Sequence, residues 1–329
     1  MALSKFIIKR VFDSIVLFIF TIIFNFFLFR LMPGDPALAY VGREGSGASG
    51  TFRQELIREY GLDKHIVDQF FIYLENLAQL DWGKSITVYR KMKVEDIIVG
   101  HRLFNTVALM SVSILLSFFI AILIGTIAAS KYKSRTDLTS IFITLTAYST
   151  PVFWVGMIII YVLYGEFHLI PLSGAPRIED PQYNNMFEWL FDYLYHMIGP
   201  ALALTISFVG GWFLIARDQL IGIFHEDYMM TAEAKGLKPY RIYFIHARKN
   251  AMLPMISLLA LAMTYLVTGA TLTETVFAWD GLGLLTFNAV KGSDYPLMQG
   301  IFLMVAAVAI ASNFMADILY AYLDPRIRY

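Results

Sequence analysis

Residues 227–254 read DYMMTAEAKGLKPYRIYFIHARKNAMLP and form a polar, basic stretch between two long apolar runs. Asp227 can cap a helix by accepting hydrogen bonds from the free N–H groups of its first turn. Residues 228–235 are mostly good helix formers, and Gly236 follows them where a left-handed residue commonly ends a helix. Pro239 suits the first turn of a second helix. The stretch therefore predicts a helix of about two turns, a glycine turn and a longer helix that continues into the next apolar run.

A helix of about two turns is not stable alone in water, so this helix has to pack on something. Ala232 and Ala234 are small enough to let a partner approach closely. Met229 and Met230, if exposed, would offer adaptable apolar contacts. The alternative is an amphipathic helix that lies on anionic lipid headgroups. Four basic side chains are available for such binding: Lys238, Arg241, Arg248 and Lys249. The residues by themselves favour the two alternatives about equally.

The composition of the whole chain indicates a membrane protein. Of its 329 residues, 57% are apolar and only 16% are charged, whereas soluble domains carry roughly a quarter charged residues. The formal net charge is zero, so no basic field favours nucleic acid as a partner. Cysteine is absent and the six histidines show no H-x-x-x-H-like pairing. Disulfides and thiolate nucleophiles are thereby excluded, and no metal site is expected.

Six apolar runs are long enough to cross a bilayer. They cover residues 11–32, 104–130, 138–164, 198–216, 251–272 and 296–316. Lysine and arginine cluster before the first run, after the second, between the fourth and fifth, and after the sixth. Because such clusters mark the cytoplasmic side, both termini are expected there. The fold class expected is an all-α polytopic membrane protein with six transmembrane helices.

The first apolar run has a cleavable signal peptide as its alternative interpretation, since residues 37–39 (ALA) resemble a cleavage site. Signal peptides carry an apolar region of about 7–15 residues, and this run is about 20 residues long. An uncleaved anchor helix is therefore expected.

Three regions follow from this pattern. Residues 1–35 are expected to form the cytoplasmic N-terminus and first helix, 36–103 an external helical insertion, and 104–329 a core domain with helices two to six. The polar segment 217–250 lies within the core domain, between its fourth and fifth helices. Two helices are expected within the insertion: one in residues 51–80 and a short interfacial one at 94–99.

Two features are expected to shape the membrane helices. Pro151 lies in the middle of the third run, where a proline leaves a carbonyl of the preceding turn unbonded and kinks the helix. Gly210 and Gly211 lie in the fourth run, where small residues allow close helix approach or bending.

The polar stretch resembles the EAA loop of ABC-importer permeases, in the form found in the first permease subunit of the dipeptide/oligopeptide/nickel branch. In the general motif the glycine lies six residues after the glutamate, and this spacing places the three naming positions on Met230, Thr231 and Ala232. Glu233 is therefore not the motif's glutamate. The peptide branch commonly has Thr-Ala-x-Ala-Lys-Gly here, and this chain matches that pattern. Further stretches that resemble the same branch are residues 30–36, 61–63, 69–74, 81–85, 102–106, 277–283, 294–296 and 317–326.

The resemblance implies a mechanism and a set of partners. The chain would lie in the cell membrane, and its short helix would be a coupling helix that sits in a cleft of a separate ATPase subunit. Two ATPase subunits that bind ATP and Mg would switch this permease and a second homologous permease. An extracytoplasmic solute-binding protein would deliver peptides or similar solutes, with oligosaccharides or nickel chelates as alternatives. The residues assigned to ATPase coupling are Asp227, Tyr228, Thr231, Ala232, Glu233, Ala234, Lys235, Gly236 and Leu237.

Other functional classes lack their expected motifs. The chain has no G-x-x-x-x-G-K-[ST] sequence, so it is not expected to be an ATPase itself, and no catalytic residue or cofactor is assigned to it. A secondary transporter that works alone would need charged groups at membrane depth and inverted repeats. The second to sixth apolar runs almost lack such charges. A membrane-embedded enzyme is the least favoured class, because no intramembrane metal motif or Ser–His pairing emerges.

Polar residues at membrane depth are candidates for the substrate pathway, because they are costly in lipid and often line cavities. The alternative role, equally favoured, is helix–helix packing by serine and threonine. The candidates are Tyr148, Ser149 and Trp154 near Pro151, together with Thr264, Thr268, Thr271 and Glu274 in and just after the fifth run.

Overall fold

The computed structural model describes residues 2–31, 63–172, 174–177, 180, 183–262, 266 and 270–323. In these ranges the regular structure is helical, apart from an isolated bridge between Lys84 and Lys93. The helices are α1 (Ala2–Leu31), α2 (Ile66–Ala78), α3 (Val94–Val99), α4 (His101–Ser130), α5 (Arg135–Ser149), α6 (Val152–Ile159), α7 (Met186–Phe224), α8 (Asp227–Ala234), α9 (Pro239–Arg241), α10 (Arg248–Ala262), α11 (Thr271–Val276), α12 (Leu282–Gly292) and α13 (Tyr295–Leu323). Two π-helical segments continue α6 and α9: Ile160–Glu166 and Ile242–Ala247.

The long helices confirm an all-helical polytopic membrane protein. Four stretches are long and apolar enough to cross a membrane: Phe6–Leu31, Val94–Ser130, Met186–Phe224 and Tyr295–Ile318. A fifth is possible if α5 and the helix after it count as one span. The fifth predicted run, residues 251–272, begins within α10, which ends at Ala262. Residues 263–265 and 267–269 lie outside the described ranges, so the number six stays a prediction.

Several predicted boundaries shift. α4 begins at His101, three residues before the expected start. α7 is 39 residues long and begins at Met186, 12 residues before the predicted fourth run. Its early start has a local cause, because the side chain of Asn185 accepts hydrogen bonds from the N–H groups of Phe187 and Glu188, both at 3.0 Å. An N-cap of this kind satisfies donors that the first turn leaves free.

The third predicted run is broken at Pro151, which corrects the expectation of a kinked helix over 138–164. α5 ends at Ser149, and the next helical pair, Val152–Glu166, is bent from it by 98°. Thr150 has extended backbone angles, as the residue before a proline prefers. The hydroxyls of Ser149 and Thr150 donate to the carbonyl oxygen of Thr146, at 3.1 and 2.7 Å. These bonds help to satisfy the backbone at the break.

α4 and α7 pack against each other at the centre of the fold. Phe118 on α4 and Phe213 on α7 are almost completely buried. Met255 on α10 packs in the same cluster as Phe118 and Ala216. The predicted glycine pair lies on α7 and allows a close helix contact, because a Cβ at Gly210 would lie 2.5 Å from the carbonyl oxygen of Thr144 on α5. α5 therefore approaches α7 as closely as only glycine permits.

α1 packs against α13. Buried Asn25 donates a hydrogen bond to the carbonyl oxygen of Gln299 at 3.1 Å, and Arg10 pairs with Asp317 at 3.3 Å. Large apolar side chains of α1 such as Phe12 and Phe20 are exposed on the isolated chain. Such a surface suits contact with lipid tails.

The insertion between α1 and α4 contains α2 and α3 where helices were expected, while residues 51–62 lie outside the described ranges. The carboxylate of Asp294, which is fully buried, fastens this insertion to the start of α13. Its oxygens accept hydrogen bonds from the Ser85 hydroxyl at 2.6 Å, from the N–H groups of Thr87 and Val88 at 2.9 and 3.0 Å, and from Ile86 N–H at 3.1 and 3.2 Å. The single carboxylate of Asp294 thus accepts the hydrogen bonds of a whole turn of backbone N–H groups that would otherwise need water.

Candidate functional site

The polar segment after α7 folds as a two-turn helix, a turn and a second helix, as predicted. α8 runs over Asp227–Ala234. Asp227 is its first residue rather than the cap before it, and the backbone N–H of Met229 donates to the carbonyl of Glu226 at 2.9 Å. Pro239 stands in the first turn of α9, as expected. The chain then continues through the π-helical segment Ile242–Ala247 into α10.

Gly236 ends α8 in the predicted left-handed conformation, with φ of +72°. The N–H of Leu237 donates to the carbonyl of Ala232 at 3.3 Å, and the N–H of Lys235 donates to that of Thr231 at 3.1 Å. The Leu237 bond is the six-to-one bond of a Schellman cap, which requires a left-handed residue at Gly236. The end of α8 is therefore determined by its own backbone.

The inner face of α8 packs on the chain itself. Met229 and Ala232 are buried. They belong to a cluster that we call the inner cluster, whose buried members are Ala129, Leu220, Met229, Ala232, Ile242, Ala247 and Ala251. Leu237 packs against this cluster as well. The condition of exposure is therefore not met at Met229, and Ala232 contacts its own chain rather than a free surface.

The outer face of α8 carries most of the other assigned residues. Met230 is 65% exposed and Tyr228 is 41% exposed. Four more residues on this side are exposed: Thr231, Ala234, Lys235 and Gly236. The side chain of Glu233 lies outside the described part of the structure. We call these six exposed residues, on α8 and directly after it, the outer face of α8; it combines small and polar residues with one methionine.

A basic and aromatic surface continues from α8 into α9. Lys238, Arg241 and Arg248 are exposed, and the rings of Tyr240 and Phe244 stack at 5.0 Å. The side chains of His246 and Lys249 lie outside the described residues. This surface would suit either an acidic protein partner or anionic lipid.

An ion pair that the sequence analysis missed joins α5 to the end of α7 near this site. Arg217 Nε and Nη2 donate to the two carboxylate oxygens of Asp137, at 2.7 and 2.8 Å. The Asp137 side chain is 1% exposed and that of Arg217 is 12% exposed. The sequence did contain a signal for this pair: Asp137 directly precedes the third apolar run and Arg217 directly follows the fourth, so the two opposite charges are expected on the same side of the membrane.

The candidates for a substrate pathway fall into three groups. Tyr148, Ser149 and Trp154 are exposed beside the break at Pro151. Thr271 is half-buried at the start of α11. Thr264 and Thr268 lie outside the described residues. Among the candidates that the structure describes, the first group forms a surface near a break in the membrane helices.

Glu274 is buried and contributes to packing between helices. It accepts a hydrogen bond from the Thr106 hydroxyl on α4 at 2.8 Å. The N–H of Leu284 on α12 donates to its other carboxylate oxygen at 3.0 Å. These contacts join three helices, so the structure places Glu274 in a structural network and not on an open surface.

The loop between α11 and α12 gathers charges around Asp280. His101, Arg102 and Arg177 contact its carboxylate at 2.7, 2.9 and 2.8 Å. Burial acts to raise the pKa of Asp280, but the charge of Arg102 and the hydrogen bonds from His101 and Arg177 lower it below its ordinary value. Trp279, completely buried, donates its indole N–H to the carbonyl of Asn105 at 3.1 Å. This loop is thus fastened to the start of α4.

Comparison with known proteins agrees with this architecture. Residues 121–329 match the family described as "binding-protein-dependent transport system inner membrane component", and residues 3–91 match its N-terminal family. The chain is 33% identical over 327 residues to the oligopeptide transport system permease protein AppB of Bacillus subtilis, covering 99% of this chain and 100% of that protein. It is 32% identical over 342 residues to the dipeptide transport system permease protein DppB of Escherichia coli K12, covering 99% of each.

A third relative is the di/tripeptide transport system permease protein DppB of Pseudomonas aeruginosa, 32% identical over 337 residues and covering 99% of each chain. The similarity extends over nearly the whole chain in each case and includes the insertion as well as the core. The chain therefore belongs to the binding-protein-dependent transport system inner membrane components, as a multi-pass permease of the dipeptide and oligopeptide branch of ABC importers.

Proposed function

We propose that this permease imports peptides, and that it forms the translocation pathway with a second homologous permease. Two ATPase subunits would supply energy from ATP and Mg, and an extracytoplasmic binding protein would supply the solute. The peptide assignment rests on relatives that are named for oligopeptide, dipeptide and di/tripeptide transport. Oligosaccharides or nickel chelates are the alternative solutes for the same machinery.

The proposed topology has six transmembrane helices with both termini in the cytoplasm. Its regions are 1–35, 36–103 and 104–329, with the coupling segment at 217–250. Lysine and arginine flank the helix ends assigned to the cytoplasm, which supports this orientation. The chain itself would carry no catalytic residue and no cofactor.

The observation that carries the proposal is that one face of α8 is packed and the other is exposed. Its inner face is fastened to the inner cluster, while Tyr228 and Met230 on its outer face are exposed. A short helix fastened in this way moves with the body of the permease and still presents a surface to a partner. We therefore assign the outer face of α8 as the contact with an ATPase subunit.

Reconstitution tests the proposal directly. The permease would be placed in vesicles with its partner permease, the ATPase subunits and the binding protein. Uptake of labelled di- and oligopeptides should require ATP, the binding protein and this chain. Peptide uptake by the chain alone without ATP would contradict the proposal and favour a secondary transporter, and uptake of oligosaccharides or nickel chelates without peptides would replace the solute.

Gly236→Pro should release the ATPase subunits from the complex or uncouple hydrolysis from uptake. Proline holds φ near −65°, so it cannot adopt the φ of +72° found at Gly236. Gly236→Asn is the matched control, because asparagine tolerates the left-handed conformation. Co-purification of ATPase with each variant, and uptake per ATP hydrolysed, measure the effect. Normal transport with Gly236→Pro would contradict the coupling assignment.

Ala232→Phe and Ala234→Phe should separate the two faces of α8. Ala232 is 9% exposed and packs in the inner cluster, so the larger side chain should lower permease stability by about 1–3 kcal/mol through overpacking. Ala234 is exposed, so its variant should keep permease stability and weaken ATPase attachment. Thermal unfolding in detergent and ATPase co-purification distinguish these effects. Full attachment with Ala234→Phe would argue against docking through the outer face.

A further inference from the structure

The buried ion pair between Asp137 and Arg217 has the geometry of a rigid joint. Two parallel hydrogen bonds of 2.7 and 2.8 Å fix the guanidinium plane against the carboxylate. The N–H of Lys133 also donates to the carboxylate, at 2.9 Å. A carboxylate with these donors and almost no solvent exposure has little freedom to move alone. Motion of Arg217 is therefore passed to the start of α5.

The two ends of this joint lead to different parts of the permease. On α7, Leu220 lies less than one turn beyond Arg217 and belongs to the inner cluster with Met229 and Ala232 of α8. On α5, Asp137 lies in the first turn of the helix that ends at the break before Pro151. α8 is thus connected through packed side chains and one ion pair to α5.

A second contact holds α5 against the antiparallel α7 beyond the ion pair. A Cβ at Gly210 would lie 2.5 Å from both the Thr144 carbonyl oxygen and the Cβ of Tyr148. Tyr148 is 57% exposed and stands one residue before the end of α5. With contacts at both its ends, α5 moves with α7 as one body up to the break.

We propose that the Asp137–Arg217 pair is the joint through which movement of α8 reaches α5 and the broken span after it. Asp137 and Arg217 are positioning residues on this account, since they contact no solute and no nucleotide. The inference rests on the proposed function, because it assumes that an ATPase subunit moves α8. It adds the route by which that movement enters the membrane.

A double-mutant cycle in the reconstituted importer tests the joint. The variants are Asp137→Asn, Arg217→Gln and the double variant, which leaves no unpaired buried charge. Arg217→Lys is added because lysine keeps the charge and loses the bidentate fork. The readout is peptide transported per ATP hydrolysed, measured beside the amount and thermal stability of the assembled complex.

The double variant and Arg217→Lys should assemble and hydrolyse ATP, with peptide transported per ATP lowered about tenfold, within the usual range of coupling between sites. The double variant should lose no more than either single variant, because each single variant already removes the shared ion pair. Arg217→Gln also removes a bond of 3.1 Å to Asp218, but that carboxylate is exposed and should contribute little. Asp317→Asn, which breaks the more exposed pair with Arg10, is the control and should keep the wild-type ratio.

Two results would overturn the inference. One is a wild-type ratio in both Arg217→Lys and the double variant. The other is an equal loss of assembled protein, hydrolysis and transport in all the variants, which would show that the pair serves stability alone. A wild-type complex that takes up no peptide under any condition would instead contradict the proposed function, and the inference would fall with it.

Discussion

Gly210→Ala should lower the free energy of unfolding of the permease by about 1–3 kcal/mol. Its new Cβ would lie 2.5 Å from a backbone carbonyl oxygen of α5 and equally close to the Cβ of Tyr148. Neither atom is the end of a flexible side chain, so α5 and α7 would have to separate. Because the exposed ring of Tyr148 stands at this contact, peptide transport should also decrease.

Gly211→Ala is the matched control for this prediction. A Cβ at Gly211 would meet the ring of Tyr148 at 3.4 Å, an ordinary contact. Alanine is favoured over glycine in a helix by up to about 1 kcal/mol, so this variant should be as stable as the wild type or more so. Thermal unfolding in detergent compares the two. Equal stability of the two variants would contradict the close approach of α5 to α7 at Gly210.

Asp294→Asn should destabilise the insertion between α1 and α4 by about 3 kcal/mol, since each buried N–H left without an acceptor costs about 1–3 kcal/mol. The carboxylate of Asp294 is fully buried and accepts hydrogen bonds from three successive backbone N–H groups at residues 86–88. These three bonds converge on Oδ2, so the amide oxygen would take that position and the NH₂ group would stand in place of Oδ1. There it would face the N–H groups of Ile86 and Leu297, which donate to Oδ1 at 3.2 and 3.3 Å. The start of α13 and the insertion should therefore separate.

Limited proteolysis at residues 84–93 and thermal unfolding measure this effect. Asp81→Asn is the control, because Asp81 is exposed and accepts one hydrogen bond, from the N–H of Gly83 at 3.0 Å. Its loss should cost less than about 1 kcal/mol, near the net value of one ordinary hydrogen bond. If Asp294→Asn were no more sensitive than Asp81→Asn, the carboxylate would not be the anchor of the insertion.

Local patterns predicted the ends of elements well. The left-handed residue at Gly236 and the start of α9 at Pro239 follow from the conformational preferences of single residues, and the short helix at 94–99 has the predicted bounds. Glycine and proline restrict or permit backbone angles regardless of what surrounds them. Such features are therefore readable before the fold is known.

Orientation and long-range pairing could not be predicted in the same way. The direction in which Ala232 points depends on how α8 packs on α7 and α10, which are distant in sequence. At Pro151 only a kink was expected. Proline determines where a helix is interrupted, but the angle between α5 and α6 depends on how α6 packs on α7 and on Phe277. Asp137 and Arg217 lie 80 positions apart, so their pairing depends on the contact between α5 and α7.

The right-angle break has a consequence for what surrounds it. α5 has 15 residues, which at 1.5 Å per residue gives about 22 Å, less than the roughly 30 Å of a hydrocarbon core. A helix this short leaves its terminal carbonyl and amide groups inside the bilayer, where lipid tails offer them no hydrogen bonds. The hydroxyls of Ser149 and Thr150 satisfy part of this demand. The remaining groups need water or another protein, so we expect water or protein, rather than lipid tails, beside Pro151 in an assembled importer.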